Sequence, residues 1–284
     1  MQGSSALPTG SADTILTCYF INFTNCVPSY YYKVSCLGYR LRGLWINRRH
    51  SSDTTQDGSS SSREEDGTKQ EDKIKNEILR ASLPFVHKHG WTKNAISEGA
   101  QAVGYPGTAH GLFPQGGADL IQYFYVTCNQ ELAEALKNET KAAAADPSKC
   151  KQPAVFIHDA VQKRLCMIIP YISKWPQALA IMTLPPNVPA ALANVLTLVD
   201  DICYYAGDRS VDFSWYSRRV ALAGIYKMTE LYMIQDKSAN FEETWHFLGR
   251  RIEDASQLHN YLHQSGEVSQ VAKEGVTAAF ITVC

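Results

Sequence analysis

Two adjacent arginines, Arg218 and Arg219, sit inside "DFSWYSRRVALAGIYKMTELYMIQ", residues 212–235, a stretch otherwise dominated by apolar and aromatic residues. An arginine stays charged, and its planar fork bonds two oxygens at once, which suits carboxylates and phosphates. At 100° per residue, Trp215, Leu222, Tyr226 and Met233 fall on one stripe with Arg219 beside it. Val220, Ala221, Ile225, Met228, Leu231 and Tyr232 cover most of the remaining circumference. A helix that is apolar nearly all round is buried or contacts lipid. A buried arginine is costly unless paired. Two kinds of partner fit: a carboxylate from Asp200, Asp201, Asp208 or Asp212, or the polar or phosphate headgroup of an apolar ligand. One arginine for each partner satisfies the pattern equally well.

Catalytic constellations are thin. Glu243 and His246 form a single E-x-x-H, whereas a carboxylate-bridged di-iron site needs two such pairs and two further glutamates. His259 and His263 lie one helical turn apart, with no H-E-x-x-H and no third ligand nearby. There is no G-x-S-x-G elbow, no P-loop and no G-x-G-x-x-G. The chain is therefore expected to be no enzyme and to carry no metal and no cofactor.

The elements that must position the arginines are helical. From Ile74 onward apolar residues recur at three and four, and alternation of period two is missing. The spacing predicts helices near 74–89, 93–103, 107–113, 117–137, 153–169, 176–183, 188–206, 212–235, 241–264 and 267–282. Gly90 and Gly104 stop the first two, Thr92 is placed to cap the second, and residues 138–152 read as a polar connection. The fold class is all-α. Around residues 212–235, Met167, Ile168, Ile169, Tyr171, Trp175, Met182, Leu196, Ile202, Tyr204 and Tyr205 supply either core or the lining of an elongated apolar site.

The outer segments differ in composition. Apolar residues make up 45% of the 284-residue chain and its formal net charge is −1, which gives no bulk bias toward nucleic acid or anionic membrane. No apolar run is long enough for a membrane-spanning helix. Residues 1–50 carry Asp13 as their only acid and end in Arg40, Arg42, Arg48 and Arg49, the composition of an organelle transit peptide or of a disordered N-terminus. A secretory signal around "ILTCYFINF" is the rival, and it lacks a basic start. Residues 51–72 are Ser, Gly, Asp and Glu with almost nothing apolar, and are expected to be a disordered linker. The eight cysteines form no C-x-x-C pair, which argues against a zinc module.

The stretch "HGWTKNAISEGAQAVGYPGTAHGLFP", residues 89–114, has the rhythm of a helix-turn-helix. Its glycine–aromatic steps (Gly90–Trp91, Gly104–Tyr105) and its Phe113–Pro114 ending resemble the N-terminus of TetR-type regulators, over roughly residues 74–125. That resemblance implies a TetR-like helical bundle. Yet no Lys or Arg occurs between Lys93 and Lys137, the reader segment offers only Thr108 and His110, and Glu98 and Asp119 add negative charge. DNA binders neutralise several phosphates. The fold is expected to persist with its DNA surface lost; a TetR-type DNA-binding regulator sensing a lipid ligand is the alternative.

A second resemblance is tighter. "RLCMIIPYISKWPQALAIMTLPPNVP", "LVDDICYYAGDRSVDFSWYSRRVALAGIYKMTELYMIQDKS" and "FEETWHFLGRRIEDA" are similar to the mitochondrial lipid-binding accessory family of ubiquinone (coenzyme Q) biosynthesis, over roughly residues 74–283. The resemblance implies a TetR-like fold that does not act on DNA, and a homodimer that binds isoprenoid quinones or phospholipids. It also implies docking on the di-iron demethoxyubiquinone hydroxylase, to which substrate is presented on the matrix side of the mitochondrial inner membrane. Carried onto this chain, the lipid-binding residues are Arg219, Trp215, Leu222 and Tyr226, and the partner surface is Trp215, Tyr216, Asp200 and Ile202. The organisation implied is a transit peptide at 1–50, a linker at 51–72, a helix-turn-helix-like subdomain at 73–137, a lipid-binding helical domain at 138–265 and an amphipathic helix at 266–284. In that last helix Val268, Val271, Val276, Ala279, Phe280 and Val283 form the apolar side, which faces either a membrane or the domain.

Overall fold

The computed structural model describes residues 61–207 and 213–264. The expected transit peptide, the first part of the linker and the helix at 266–284 lie outside the described residues. Among the described residues the chain is all-helical, with no strand. The α-helices are α1 (Ser61–Ser82), α2 (Val86–His89), α3 (Lys93–Ala102), α4 (Gly117–Ala145), α5 (Pro153–Cys166), α6 (Trp175–Met182), α7 (Val188–Tyr205), α8 (Phe213–Gln235) and α9 (Glu242–Gln264). Short 3₁₀ turns join several of them, at Leu83–Phe85, Gly107–Leu112, Pro147–Lys149, Ile169–Lys174 and Ala239–Phe241. The described residues fall into two compact units, one ending at Ala223 and the other beginning at Gly224, so the division lies inside α8.

Two boundaries differ from expectation. Helix α1 begins at Ser61, so part of the stretch expected to be linker is helical. Arg63, Glu64, Glu65, Lys69, Gln70 and Glu71 are residue types with good helix propensity, and Glu71 pairs with Lys75 one turn on at 2.6 Å. Helix α4 continues through the position where the first subdomain was expected to end at 137, and stops at Ala145. Its tail "KAAAA" has the strongest helix propensity available. Glu139 on that tail pairs with Lys151, at 2.9 Å, and with Lys163.

In the unit ending at Ala223, α4 is the axis. Leu120, Ile121, Phe124, Tyr125, Cys128, Leu132 and Leu136 recur at helical spacing and are all buried. Helices α5, α6 and α7 pack on it. Burying each large apolar side chain contributes about 1.5–3 kcal/mol. Trp91, Phe124, Tyr125, Tyr171 and Trp175 form an aromatic cluster there. Trp91 meets Trp175 edge-on at 5.7 Å, and Tyr125 stacks on Trp175 at 5.6 Å. These contacts fix the Ile169–Lys174 turn and α6 against α4.

One charge is buried in that core. Arg164 is 0% exposed; its Nε donates to Asn129 Oδ1 at 2.9 Å, and its guanidinium lies 5.0 Å over the Tyr125 ring. Asn129 Nδ2 donates onward to the Asn194 carbonyl at 2.9 Å. The chain of bonds ties α5, α4 and α7 at one level. The Cys128 thiol beside it is pushed up to about 11, chiefly by desolvation and against the pull of Arg164.

In the second unit, α8 and α9 form an antiparallel hairpin closed at Asp236. Its carboxylate accepts from the Ser238 amide at 2.7 Å and from the Thr244 amide at 2.9 Å, which caps the first turn of α9. Burial raises this carboxyl, but the hydrogen bonds from Thr244 and Ser238 outweigh it and hold it below its ordinary value. Tyr232 on α8 stacks on Phe247 of α9 at 4.6 Å.

Candidate functional site

Helix α8 is buried where the sequence demanded it. Leu222, Ala223, Ile225 and Tyr226 are 6%, 0%, 7% and 0% exposed. At 100° per residue, residues 222–226 sweep the full circumference, so the helix is covered on every side at that level. Arg219, one turn earlier, is 3% exposed, and the neighbouring Arg218 is only half-buried. Arg219 is therefore the arginine that faces inward. Its Nε donates to Asp200 Oδ1 of α7 at 2.9 Å. Asp200 is one of the four candidate carboxylates; Asp208 and Asp212 lie outside the described residues. The Asp200 side chain is 35% exposed against 4% for Arg219, so one end of the pair reaches solvent.

The other expected site residues divide. Leu222 and Tyr226 lie in the buried stripe with Arg219. The side chains of Trp215 and Tyr216 lie outside the described residues. Ile202, expected on a partner surface, is a correction: it is 0% exposed and packs on the core side of α7 with Leu198 and Val199. The reason is angular. Asp200 and Ile202 are two residues apart, about 200° around a helix, so the half-exposed side of Asp200 and the side of Ile202 are opposed. The residue that shares the Asp200 side is Tyr204, one turn on, which is 52% exposed and meets the Tyr205 ring at 5.2 Å. The i, i+4 relation to Asp200 was the available signal.

Sequence reasoning also passed over an ion pair inside α8. Glu230 is 1% exposed and accepts from Lys227 Nζ at 2.7 Å, with the Lys227 side chain 14% exposed and 5.9 Å over the Tyr226 ring. The i, i+3 spacing of opposite charges in an apolar helix was legible. Glu243 and His246, by contrast, are both exposed. Among the described residues, no three His, Cys, Asp or Glu side chains converge as metal ligands.

The segment expected to be a helix-turn-helix holds one α-helix, α3, and no second α-helix before α4. The expected reader helix at 107–113 is a 3₁₀ turn, Gly107–Leu112, begun by Pro106. Two glycines within it weaken any α-helix. His110 is turned back: its Nδ1 lies 2.8 Å from the Gly107 carbonyl, and Ser97 Oγ donates to the same carbonyl at 2.9 Å. Thr92 stands at the cap position of α3, but its hydroxyl donates backward to the His89 carbonyl at 3.1 Å and makes no side-chain cap. Glu98 bonds Lys88 at 3.2 Å and His89 at 2.7 Å. The Lys88 bond leads in holding this carboxyl below its ordinary value. Gly104, at φ +86°, makes the left-handed turn after α3.

Two family profiles match the chain. Residues 71–101 match "Ubiquinone biosynthesis protein COQ9, N-terminal domain", and residues 188–259, which hold the Arg219–Asp200 pair, match "COQ9". The class is thus an all-helical protein of ubiquinone biosynthesis. The chain is 47% identical over 227 residues to the mitochondrial ubiquinone biosynthesis protein COQ9 of Drosophila melanogaster, covering 79% of this chain and 69% of that one. The Rattus norvegicus protein of the same name is 43% identical over 223 residues, with 78% and 72% covered. The Homo sapiens one is 41% identical over 220 residues, with 78% and 69% covered. The chain belongs to the COQ9 family of ubiquinone biosynthesis proteins. The relatives' names place them in the mitochondrion and state no catalytic activity.

Proposed function

We propose that this chain binds an isoprenoid quinone precursor and presents it to the di-iron demethoxyubiquinone hydroxylase, working as a homodimer on the matrix side of the mitochondrial inner membrane and catalysing no step itself. The observation that carries this reading is Arg219: 3% exposed, on an apolar helix, and paired through Nε with an aspartate that reaches solvent. Asp200 holds the plane of the guanidinium in a fixed orientation. A quinone carbonyl or phosphate oxygen arriving there meets a charged donor in a poorly hydrated setting, where such a bond is strongest. Leu222, one turn on from Arg219, adds apolar surface that suits an isoprenoid tail. Partner docking falls to Trp215 and Tyr216 together with Asp200, and Tyr204 replaces Ile202 in that role.

Native mass spectrometry of the purified chain tests the ligand. Capture of an isoprenoid quinone by the wild type, and its loss in Arg219→Met, is expected. A wild type that carries no lipid and takes up no added quinone refutes the reading. For docking, Trp215→Lys is expected to weaken pull-down of the hydroxylase without lowering the melting temperature; undiminished pull-down removes Trp215 from the surface. The geometry does not favour DNA: the reader segment is a 3₁₀ turn whose histidine is bonded to its own backbone. Steeply salt-dependent binding to random duplex DNA would reverse that judgement.

A further inference from the structure

The turn between α6 and α7 combines three properties that rarely coincide. The first is exposed apolar surface. Leu184 is 51% exposed, and Pro185, Pro186 and Ala180 beside it are exposed too. The second is charge. Residues 160–199 contain no Asp or Glu, and their only cations are Lys163, Arg164 and Lys174. A protein surface is ordinarily about 25–35% charged residues of both signs. The third is the state of the backbone donors. The amides of Thr183, Leu184, Asn187 and Val188 all donate within the turn, to Leu179, Ile181, Leu184 and Leu184 at 3.1, 3.2, 2.8 and 3.2 Å. Pro185 and Pro186 have no N–H to satisfy. The polar side chains are turned in as well: Thr183 Oγ1 donates to the Ala180 carbonyl at 2.8 Å and Asn187 Nδ2 to the Ile181 carbonyl at 2.9 Å.

Closed donors of this kind are ordinary at helix ends, and here they leave an apolar tip with none to lose on leaving water. A surface that enters hydrocarbon requires that closure, because each unsatisfied donor there costs several kcal/mol. We propose that the Thr183–Val188 turn is a membrane-inserting tip, which places Leu184, Pro185 and Pro186 at the headgroup–acyl boundary of a bilayer. The absence of carboxylates removes repulsion from anionic lipid. The insertion is shallow. Helix α5 and the segment Ile169–Met182 together have the length and hydropathy of a broken span, bent by 57°, and no single described helix does. However, Ile168, Trp175, Ala178, Leu179 and Met182 are all buried in the protein, so that segment is committed on its inner side. This contact is separate from the segment at 266–284 and from Arg219. It holds whether or not a quinone is the cargo.

The test uses the full chain and phosphatidylcholine vesicles with and without cardiolipin. Flotation should show Leu184→Asp partitioning at least about threefold more weakly than wild type, from the loss of roughly half a leucine of buried area. Leu112→Asp, at an apolar side chain 40% exposed elsewhere in the fold, should be unchanged. Leu184→Trp should gain a blue-shifted emission over the wild-type chain on vesicle addition, quenched by brominated lipid. Equal partitioning of Leu184→Asp and wild type overturns the proposal, as does a Leu184→Trp emission that vesicles leave unmoved or that a protein partner shifts instead. The Trp readout decides the matter if Leu184→Asp fails to fold. Loss of quinone capture in native mass spectrometry, with bromolipid quenching intact, refutes the carrier reading alone.

Discussion

Removing the Asp200 carboxylate should weaken the fold and leave lipid capture in place, and the two effects are separable. The perturbation is Asp200→Asn, which keeps the shape and removes the charge that faces Arg219 at 2.9 Å. Breaking a fully buried pair by deleting one partner costs about 3–5 kcal/mol, and an exposed pair is worth about 0.2–1 kcal/mol. Here the Arg219 side chain is 4% exposed and that of Asp200 is 35%, so the cost falls between those limits. An expectation of about 2 kcal/mol corresponds to a melting temperature lower by roughly 4–8 °C for a chain of this size. Arg219→Met alone should cost a similar amount, since it removes the other side of the same pair. The double variant should be less damaged than the sum of the two, because the uncompensated charge is gone. Thermal unfolding followed by circular dichroism reads all four species, and native mass spectrometry of the same samples reads lipid. Asp200→Asn should retain quinone, because the guanidinium that bonds the headgroup is still present, while both Arg219→Met species should lose it. Additive losses in the double variant would refute the idea that Asp200 is what holds Arg219. Quinone retained in Arg219→Met would show that the pair is structural and nothing more.

Two substitutions at glycine should move stability in opposite directions. A Cβ at Gly99 would lie 2.6 Å from Ser82 Cα and 2.7 Å from its amide nitrogen, so Gly99→Ala must push α3 off α1 at a cost of about 1–3 kcal/mol, more than its gain in helix propensity. Gly249 on α9 meets nothing within 4 Å, and Gly249→Ala should stabilise by up to about 1 kcal/mol in the same melt. The Cys128 thiol, pushed up to about 11 from an ordinary 9.0, should hold about a hundredfold less thiolate at pH 8 than a thiol at that ordinary value. Native-state alkylation should therefore reach exposed Cys150 long before Cys128, and equal rates would count against the buried site. Because burial raises this acid, the unfolded chain ionises first, so stability should decline as pH rises from about 9 toward 11.

Periodicity made most of the helices legible, and the reason is visible in α4 and α8. In α4 a one-sided apolar stripe from Leu120 to Leu136 could be nothing but helical, and in α8 a full circumference of apolar residues announced burial. What periodicity could not show was where polar helix stops. The alanine tail of α4 buries little, so it carries no stripe, and propensity is what holds it helical. The site was half legible. An inward arginine with an aspartate partner followed from the cost of burying charge, but four aspartates were equivalent until the fold chose Asp200. Ile202 was misplaced because a short motif was carried over as a block, although residues two apart on a helix cannot share a face. The Lys227–Glu230 pair went unnoticed because the eye followed apolar residues along α8.

The closed backbone of the Thr183–Val188 turn has a consequence for hydrogen exchange. Exposed connections usually trade their amide protons fast, and slow exchange is read as core. In this turn every residue either donates internally or is proline. Its four amides are therefore expected to exchange at the pace of the flanking helices, and this exposed apolar tip would register as interior.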